Sequence, residues 1–573
     1  MPVHNKDIAD ILFEVADFLD LKGRNEFRIR SYRDAARTIS EGPESIVKKA
    51  RNEEDISSLP GIGKSMAEKI REIAKTGTLK QLEKIKQDVP SSLVDIMKLE
   101  QMGPERTRIL HEKLNIETIE DLREAAAEGK IEEIKGFGKK IQKNILREIK
   151  EFSKKGGSKR FKLADAENYA SSILKYLDKK TDKLILAGST RRMKDNIGDI
   201  DLVATSRDPK EAMKYFTAYE DTDHVLAHGE TKSSIKLKNG LRIDLRLVNK
   251  RSLGAALLYF TGSRAHTLTL RKLAQNKDLK LSEYGLFKGK KRVAGRTEAN
   301  IYKKLDLKFI EPELRENKGE VDAAAKNKLP GLIQRKDIKG DLHTHTKASD
   351  GKYSLEEMVK KAKDLGYEYY AISEHSKKVA MANGLTEKRL RDQMEEIDRL
   401  NEKMKEIKIL KSIEVDILED GKLDFSNNIL KELDLVICSI HYNLNLSKEK
   451  QTKRILKAMD NPYFNILAHP TGRRIGERDE INLDLNKIMN EAGEKNCFLE
   501  INSHPDRLDL RDKYIRMAKE KRLKLAISTD AHSKANLENM RYGVAQARRG
   551  WLEKNDVINT RSWKELKKLL KRN

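Results

Sequence analysis

Seven short apolar runs between residues 339 and 532 each end in residues that ligate metal ions, and this repeat constrains the fold more than any other feature. They read KGDLHTH (339–345), YYAISEH (369–375), LKSIEVD (410–416), LDLVICSIH (433–441), FNILAHP (464–470), FLEINSH (498–504) and LKLAISTDAH (523–532). A strand that closes on His, Asp or Glu and gives way to a charged helical stretch suggests parallel strands of a β/α barrel. In such barrels chemistry collects at the strands' C-terminal ends. Nine candidate ligands emerge: His343, His345, Asp350, His375, Glu414, His441, His469, Asp530 and His532. That is too many for one ion, because a catalytic zinc takes about three protein ligands and keeps a position open. Mixed imidazole and carboxylate ligands suit Zn²⁺, Mn²⁺ or Fe²⁺ better than Mg²⁺ or Ca²⁺. Two or three ions spaced by roughly 3.5–4 Å would clamp a phosphate ester and activate a water.

A lone His-x-His is more often a pair of surface histidines than a metal site. Here six of twelve histidines fall at the ends of apolar runs, and that turns the pattern into metal chemistry. His504 also ends a run, but Asn502 and Asp506 beside it suit a substrate contact or support of another ligand equally well. Arg473 and Arg474, in HPTGRRIGER, are candidates to hold a DNA phosphate, a solvated loop being the other reading. The order and spacing of the nine residues resemble the polymerase and histidinol phosphatase (PHP) domain over 335–573. That resemblance implies a metal-dependent phosphoesterase with every ligand position of a three-metal cluster filled.

The chain has 573 residues, room for three to five domains, and carries 117 basic against 92 acidic residues, a net charge of +25. Such an excess suggests a polyanionic partner, since Lys and Arg gain affinity by releasing counterions from phosphates. A thermophile's charged surface would explain 36% charged residues but needs no imbalance of sign. Cys438 and Cys497 both lie in apolar runs, as core residues of a protein in a reducing cytoplasm would. No signal peptide and no apolar run of about 18 residues is present, so no membrane association is expected. The polar stretches 153–159 and 316–331 are the best linkers.

Residues 6–153 read as amphipathic helices with three recurring turns, SLPGIGKSMAEKI (58–70), LEQMGPERTRIL (99–110) and IEEIKGFGKKIQKNIL (131–146). In each an apolar residue and a glycine turn lead into a basic helix. Gly61, Gly63, Gly103, Gly136 and Gly138 would let backbone approach closely, and free N–H groups at a helix start bind a phosphate oxygen. One such turn is usually just a helix cap. The three together resemble helix–hairpin–helix motifs, which grip DNA backbone without reading bases. The middle copy departs, with Pro104 following Gly103.

Residues 184–202 place an apolar strand, a Gly-Ser turn and two arginines before Gly-Asp-Ile-Asp. Alternate strand residues share a face, so Asp199 and Asp201 project together while Ile200 and Leu202 pack behind. The strand LRIDLRLV (241–248) presents Arg242, Asp244 and Arg246 in the same way. Three carboxylates from adjacent strands would hold two Mg²⁺ ions for in-line phosphoryl transfer. Asp-x-Asp alone usually marks a solvated strand face; the added glycine turn, arginines and third Asp make the signal specific.

This arrangement resembles a nucleotidyltransferase palm, and LLYFTGSRAHTLTLRKLAQNKDLKLSEYGLF (257–287) is similar to the thumb of family X DNA polymerases. The resemblance spans about 5–310. It implies that Asp199 and Asp201 bind both catalytic metals and Asp244 the one that activates the primer 3′-hydroxyl. By the same match Gly188, Ser189, Arg192 and Gly198 cradle the triphosphate, Tyr259, Phe260 and Gly262 line the sugar pocket, and Arg271 meets the template side. Met193 stands where glycine commonly follows the arginines, and Thr267 replaces an Asn that contacts the incoming base. The first eighty residues resemble the family's small amino-terminal domain. In some members that domain removes a 5′-deoxyribose phosphate through a lysine Schiff base, and Lys69 falls at that position. Ser65 and Phe27 depart from the animal pattern, so Lys69 reads first as a backbone-binding cation and second as a lyase nucleophile. Arg28, Tyr32 and Arg33 are expected to bind a 5′-phosphate across a gap.

The expected architecture is an all-α helix–hairpin–helix region, an α/β palm and thumb, and a distorted C-terminal β/α barrel. Its divisions are 1–80 (small DNA-binding domain), 81–155 (helix–hairpin–helix fingers), 156–250 (palm), 251–315 (thumb), 316–334 (linker) and 335–573 (barrel). The expected activity is DNA-directed DNA polymerisation that fills short gaps in repair, with a metal-dependent 3′–5′ exonuclease or abasic-site endonuclease in the barrel. Gapped or nicked DNA with a 5′-phosphate and dNTPs would be the substrates, Mg²⁺ the palm ion, Mn²⁺ or Zn²⁺ the barrel ions, and the chain a monomer. The alternative fuses the polymerase to a phosphatase for small esters.

Overall fold

The computed structural model describes residues 5–571 except 24, 42–45, 58, 60, 89, 91, 98, 100, 101 and 156–159. Ser58, Pro60, Glu100 and Gln101 of the expected turns, and 156–159 of the first expected linker, therefore lie outside the described residues. Two compact units emerge, Met1–Lys159 and Arg160–Asn573.

The first unit is helical. Its apolar residues recur at helical spacing: Ile8, Leu12, Val15 and Leu19 on Asn5–Leu21 and Met66, Ala67, Ile70, Ile73 and Ala74 on Lys64–Thr76 enter one buried cluster. Gly63 and Gly103 are the residues at which Lys64–Thr76 and Pro104–Leu114 begin, and Gly138 directly precedes Lys139–Lys155.

The second unit begins with a five-stranded sheet in the order Lys183–Leu186, Asp199–Thr205, Arg242–Leu247, Lys232–Leu237, Thr222–His228. Only the Asp199–Thr205 and Arg242–Leu247 pair is parallel. Two helices follow, Leu253–Thr261 and Arg264–Gln275, then a three-stranded antiparallel sheet.

All seven apolar runs become strands, and every neighbouring pair is parallel: Gly340–Asp341, Tyr369–Ile372, Lys408–Asp416, Leu435–Ser439, Ile466–Leu467, Phe498–Asn502 and Leu525–Ser528. Just past the first and last strands Thr344 bridges Ala531, with His345 N donating to Ala531 O at 2.9 Å, which nearly closes the sheet into a barrel. Strand alternation divides the apolar residues. Ile372, Ile409, Val436, Leu499 and Ile527 pack outward with the helices, whereas Ala371, Leu410, Ile437, Phe498 and Ala526 pack inward against Leu566 and Leu570. Cys438 and Cys497 are both buried in the core, not joined to each other in a disulfide.

The second expected linker is not one. Residues 316–334 include the helix Glu320–Ala325, Val321 and Ala324 join the thumb core with the barrel's Trp551, and Glu320 is wholly buried. Glu320 faces inward because it has partners: it accepts from His266 Nδ1 at 2.6 Å and from the backbone N–H groups of Asn317 and Lys318. Palm, thumb and barrel thus form one unit.

Candidate active sites

Strand register builds the palm site. Asp201 stands opposite Asp244 and Asp199 opposite Arg242 across the parallel pair, while Ile200 and Leu202 are fully buried behind. Burial, and repulsion from Asp199 and Asp244, push the Asp201 carboxyl up to about 7. Burial and Asp244 also raise Asp199. Arg242 offsets part of this charge by bonding both oxygens of Asp244 at 2.8 Å. Crowded carboxylates held above their ordinary range are what a divalent cation would relieve, so these residues fit the ions that their chemistry implies.

The turn beside them is sterically fixed. Gly188 has φ +62°, and an added Cβ would lie 2.1 Å from Asp201 Oδ2. Ser189 follows it in the short turn Gly188–Arg191, and Gly198 sits between the strands Asn196–Ile197 and Asp199–Thr205, near Arg160. Arg191 grips Glu298 through two nitrogens and Thr261 through a third bond, tying palm to thumb. Arg192 bonds Glu316 at 3.0 Å and the carbonyl of Thr261 at 2.5 Å. Gly262, φ +66°, would carry a Cβ 3.4 Å from Arg192. Tyr259 and Phe260 meet edge to face, with Arg271 over Tyr259 at 5.0 Å and Arg246 over Phe260 at 4.9 Å. Thr267 is 6% exposed and donates to its own helix at Ser263 O.

At the barrel mouth the nine expected ligands converge. Three groups have ligand atoms within 4.8 Å of one another: His345, Asp350, His375 and His532; His343, His345 and Asp530; His375, Glu414 and His441. They share His345 and His375, and His469 joins them through Glu414 at 2.9 Å. His343 Nε2 and both His345 ring nitrogens are buried without hydrogen-bond partners, and His375 Nδ1 crowds Glu414 Oε2 at 2.7 Å. Buried polar atoms without partners are costly, and these all aim into one cluster, so the donor set fits metal ions. Burial and the cationic neighbours His532 and His375 push His345 down to about 3. Burial opposes a proton on His375, but Glu414 and Asp350 outweigh it and hold the ring up to about 10.

Four supporting carboxylates escaped the sequence reading. Glu500 accepts from His343 Nδ1 at 2.8 Å and, on its other oxygen, from His469 N at 2.7 Å. Asp416 accepts from His441 Nδ1 at 3.2 Å, Asp341 bonds Thr529, and Glu374 bonds Thr346, Ser349 and Gln393. The first two fix which ring nitrogen faces the centre. The signal was present: Glu500 and Asp416 lie in quoted runs, Asp416 two residues from Glu414 on the same strand face.

The expected phosphate-holding arginines are corrected. Arg473 is 6% exposed and committed to Asp195 at 2.8 Å and Leu508 O, and Arg474 faces Glu477. Arg507 instead reaches the cluster, 3.5 Å from Asp530. His504 remains outside the three groups, its ring accepting from Asp506 N.

Within the first unit, Gly63, Gly103, Gly136 and Gly138 face open space, so backbone is approachable there. Gly61 has φ +77° and Gly136 φ +98°. Pro104 removes one N–H from the middle copy. Lys69 bonds Ser65 Oγ at 2.8 Å and lies 5.7 Å from the Tyr32 ring centre; burial and Arg28 lower its pKa. Arg28 is exposed, whereas Tyr32 is buried with its hydroxyl on Gln81 and Arg33 pairs with Asp17 and Asp20. Those partners withdraw Tyr32 and Arg33 from the expected 5′-phosphate pocket.

Known proteins resemble this chain along its whole length. Family models match for a helix–hairpin–helix domain at 3–79, a SAM-like helix–hairpin–helix tandem at 93–151, a DNA polymerase beta thumb at 256–316 and a PHP domain at 341–504. The chain is 36% identical over 577 residues, all of both proteins, to the DNA polymerase/3′-5′ exonuclease PolX of Bacillus subtilis (strain 168). It is 31% identical over 231 residues to a protein named "probable phosphatase" of Thermoanaerobacter sp. (strain X514), a match covering 38% of this chain and 89% of that one. A "probable phosphatase" of Clostridium acetobutylicum is 31% identical over 210 residues, 35% of this chain and 81% of its own.

Proposed function

Because the chain belongs to the family X DNA polymerases that carry a C-terminal PHP domain, we propose that it fills short gaps in DNA during repair and trims 3′ ends in its barrel. The observation that carries this reading is that one compact unit brings together two clusters of candidate metal ligands with different chemistry. One is a carboxylate cluster (Asp199, Asp201, Asp244) and the other an imidazole-rich cluster of nine ligands. The carboxylates favour Mg²⁺, which keeps its waters, and the imidazoles favour Mn²⁺ or Zn²⁺.

In the palm, Asp199 and Asp201 would hold two ions against the triphosphate, and Asp244 would sit beside the 3′-hydroxyl. Ions held by these carboxylates would supply charge to offset that on the transferring phosphate and would lower the pKa of the attacking hydroxyl. Gly188 and Ser189 bring backbone N–H groups close, Arg192 supplies positive charge, and Tyr259 and Phe260 offer apolar surface to the sugar. In the barrel, two or three ions would polarise the phosphodiester and activate a water. Glu500 and Asp416 orient the rings of His343 and His441, and Arg507 offers a guanidinium to the phosphate. The helix–hairpin–helix turns would grip the backbone of a gapped or nicked duplex, with Arg28 and Lys69 toward its 5′-phosphate. Lys69, cationic by day-to-day chemistry but depressed by burial and Arg28, is a backbone-binding cation first and a lyase nucleophile only as the alternative. The protein would act as a monomer. Among the described residues no helix is long and apolar enough to cross a membrane.

A second reading, hydrolysis of small phosphate esters by the barrel, draws on the two phosphatase-named relatives. One experiment tests both: an end-labelled gapped duplex with and without dNTPs, in Mg²⁺ and Mn²⁺, beside a sugar phosphate. Extension with dNTPs and 3′ shortening without them support the proposal. Release of phosphate from the sugar with an intact DNA end would support the phosphatase.

A further inference from the structure

The loop that carries Arg192 is held by the barrel. On the barrel helix Met540–Arg549, Gln546 and Arg549 stand one turn apart and so share a face. Arg549 donates to the carbonyl of Arg192 at 2.7 Å, and Gln546 donates to the next carbonyl, that of Met193, at 3.3 Å. Met193 is in the left-handed region at φ +54°, a conformation that costs a residue with a Cβ and costs glycine little. A partner on its carbonyl helps hold it there. Arg549 also shares a carboxylate with Arg192: Glu316 Oε1 lies 3.0 Å from Arg192 Nε and 3.1 Å from Arg549. Asp512 holds the far nitrogen of Arg549 at 2.6 Å. Arg549 and Gln546 are 6% and 2% exposed, so this contact is built into the core rather than made across solvent. Two residues further along the loop, Asp195 is clamped by Arg473 from the barrel.

We propose that Arg549 and Gln546 of the barrel are positioning residues for nucleotide addition, fixing the backbone and guanidinium of the Arg192–Met193 loop in the form that receives the triphosphate. The proposal rests on the polymerase reading of the palm. In place of a glycine after the two arginines, the loop owes its shape to bonds from another part of the chain. Neither residue touches the barrel's metal ligands in the described contacts, so the effect falls on nucleotide addition alone.

The test is steady-state single-nucleotide extension and 3′-end degradation by the same full-length preparations of wild type, Arg549→Met, Arg549→Lys and Gln546→Leu, with thermal midpoints. Arg549→Met is expected to raise KM for dNTP about tenfold, the worth of one charge-assisted hydrogen bond, with kcat and degradation near wild type. Arg549→Lys, which keeps charge beside Glu316 and Asp512, is expected to recover part of that loss. Gln546→Leu removes one neutral bond and carries the test alone should Arg549→Met fail to fold; its KM is expected to rise about threefold. KM within a factor of about 1.5 of wild type in the folded variants overturns the proposal. So does a loss of extension and degradation in step with the thermal midpoint, because that marks a role in folding only. A wild-type protein that extends no primer overturns the polymerase reading instead.

Discussion

An added Cβ on Gly188 would stand 2.1 Å from Oδ2 of Asp201, closer than any carbon can approach a carboxylate oxygen. Glycine is required twice over, since φ is +62° there. Gly188→Ala must therefore push the Asp201 carboxylate or the turn aside. The expected result is a loss of primer extension on the order of a hundredfold, as for other displacements of about 1 Å in a catalytic group. Degradation of the 3′ end should stay near wild type. Extension within a few-fold of wild type would mean that the turn yields without moving Asp201.

Protonation of Asp201 supplies a pH signature. Burial and repulsion from Asp199 and Asp244 raise this acid to about 7. A raised acid is charged only above its pKa, and a proton competes with a cation for the same oxygens below it. The half-saturating Mg²⁺ concentration for extension should therefore rise as pH falls from about 8 to about 6. Titrating Mg²⁺ at each pH measures this directly. A flat profile would place the Asp201 carboxyl in the ordinary range.

Glu500 is wedged between donors: the His343 ring, the His469 backbone N–H and the Asn502 amide. An amide has one acceptor oxygen, so Glu500→Gln leaves at least one donor facing an NH₂ group. The His343 ring should lose its fixed orientation, and barrel metal affinity should fall by about 10- to 100-fold. Metal content after dialysis against graded chelator reads this out, and unchanged retention would mean that His343 is oriented by the metals alone.

Arg507 points its guanidinium toward Asp530 with its side chain 19% exposed. Arg507→Met is expected to cut 3′-end degradation on the order of a hundredfold, the usual loss for a donor to developing phosphate charge. Metal content should be unchanged, which separates a phosphate contact from support of Asp530. Full degradation by the variant would return the phosphate contact to other residues.

The barrel was legible because six of the seven short apolar runs close on candidate ligands, so periodicity and site coincide in one segment. All seven runs became strands, and the nine candidate ligands came together at one end. Glu500 and Asp416 were harder to read, because within an apolar run an acid looks the same whether it binds a metal or holds a histidine. What failed was long-range. Arg473 looked like an exposed loop cation, yet its partner Asp195 lies 278 residues away. The stretch 316–334 looked solvated because Glu316, Lys318 and Glu320 are polar, and nothing local reveals that Glu316 meets Arg549 and Glu320 meets His266. Tyr32 and Arg33 fit a phosphate pocket in sequence, but Gln81, Asp17 and Asp20 claim them in the fold.

Two metal sites that run two reactions in one chain should be separable by substitution. The most direct measurement follows a single gapped duplex, labelled at the 5′ end of the primer strand, with three full-length proteins: wild type, Asp199→Ala with Asp201→Ala, and His343→Ala. In Mg²⁺ with dNTPs the palm variant should extend nothing while His343→Ala extends like wild type. In Mn²⁺ without dNTPs the palm variant should shorten the end like wild type, and His343→Ala, depleted of barrel metal, should leave it intact. Loss of both reactions in either folded variant, or full 3′ shortening by His343→Ala, would contradict the account.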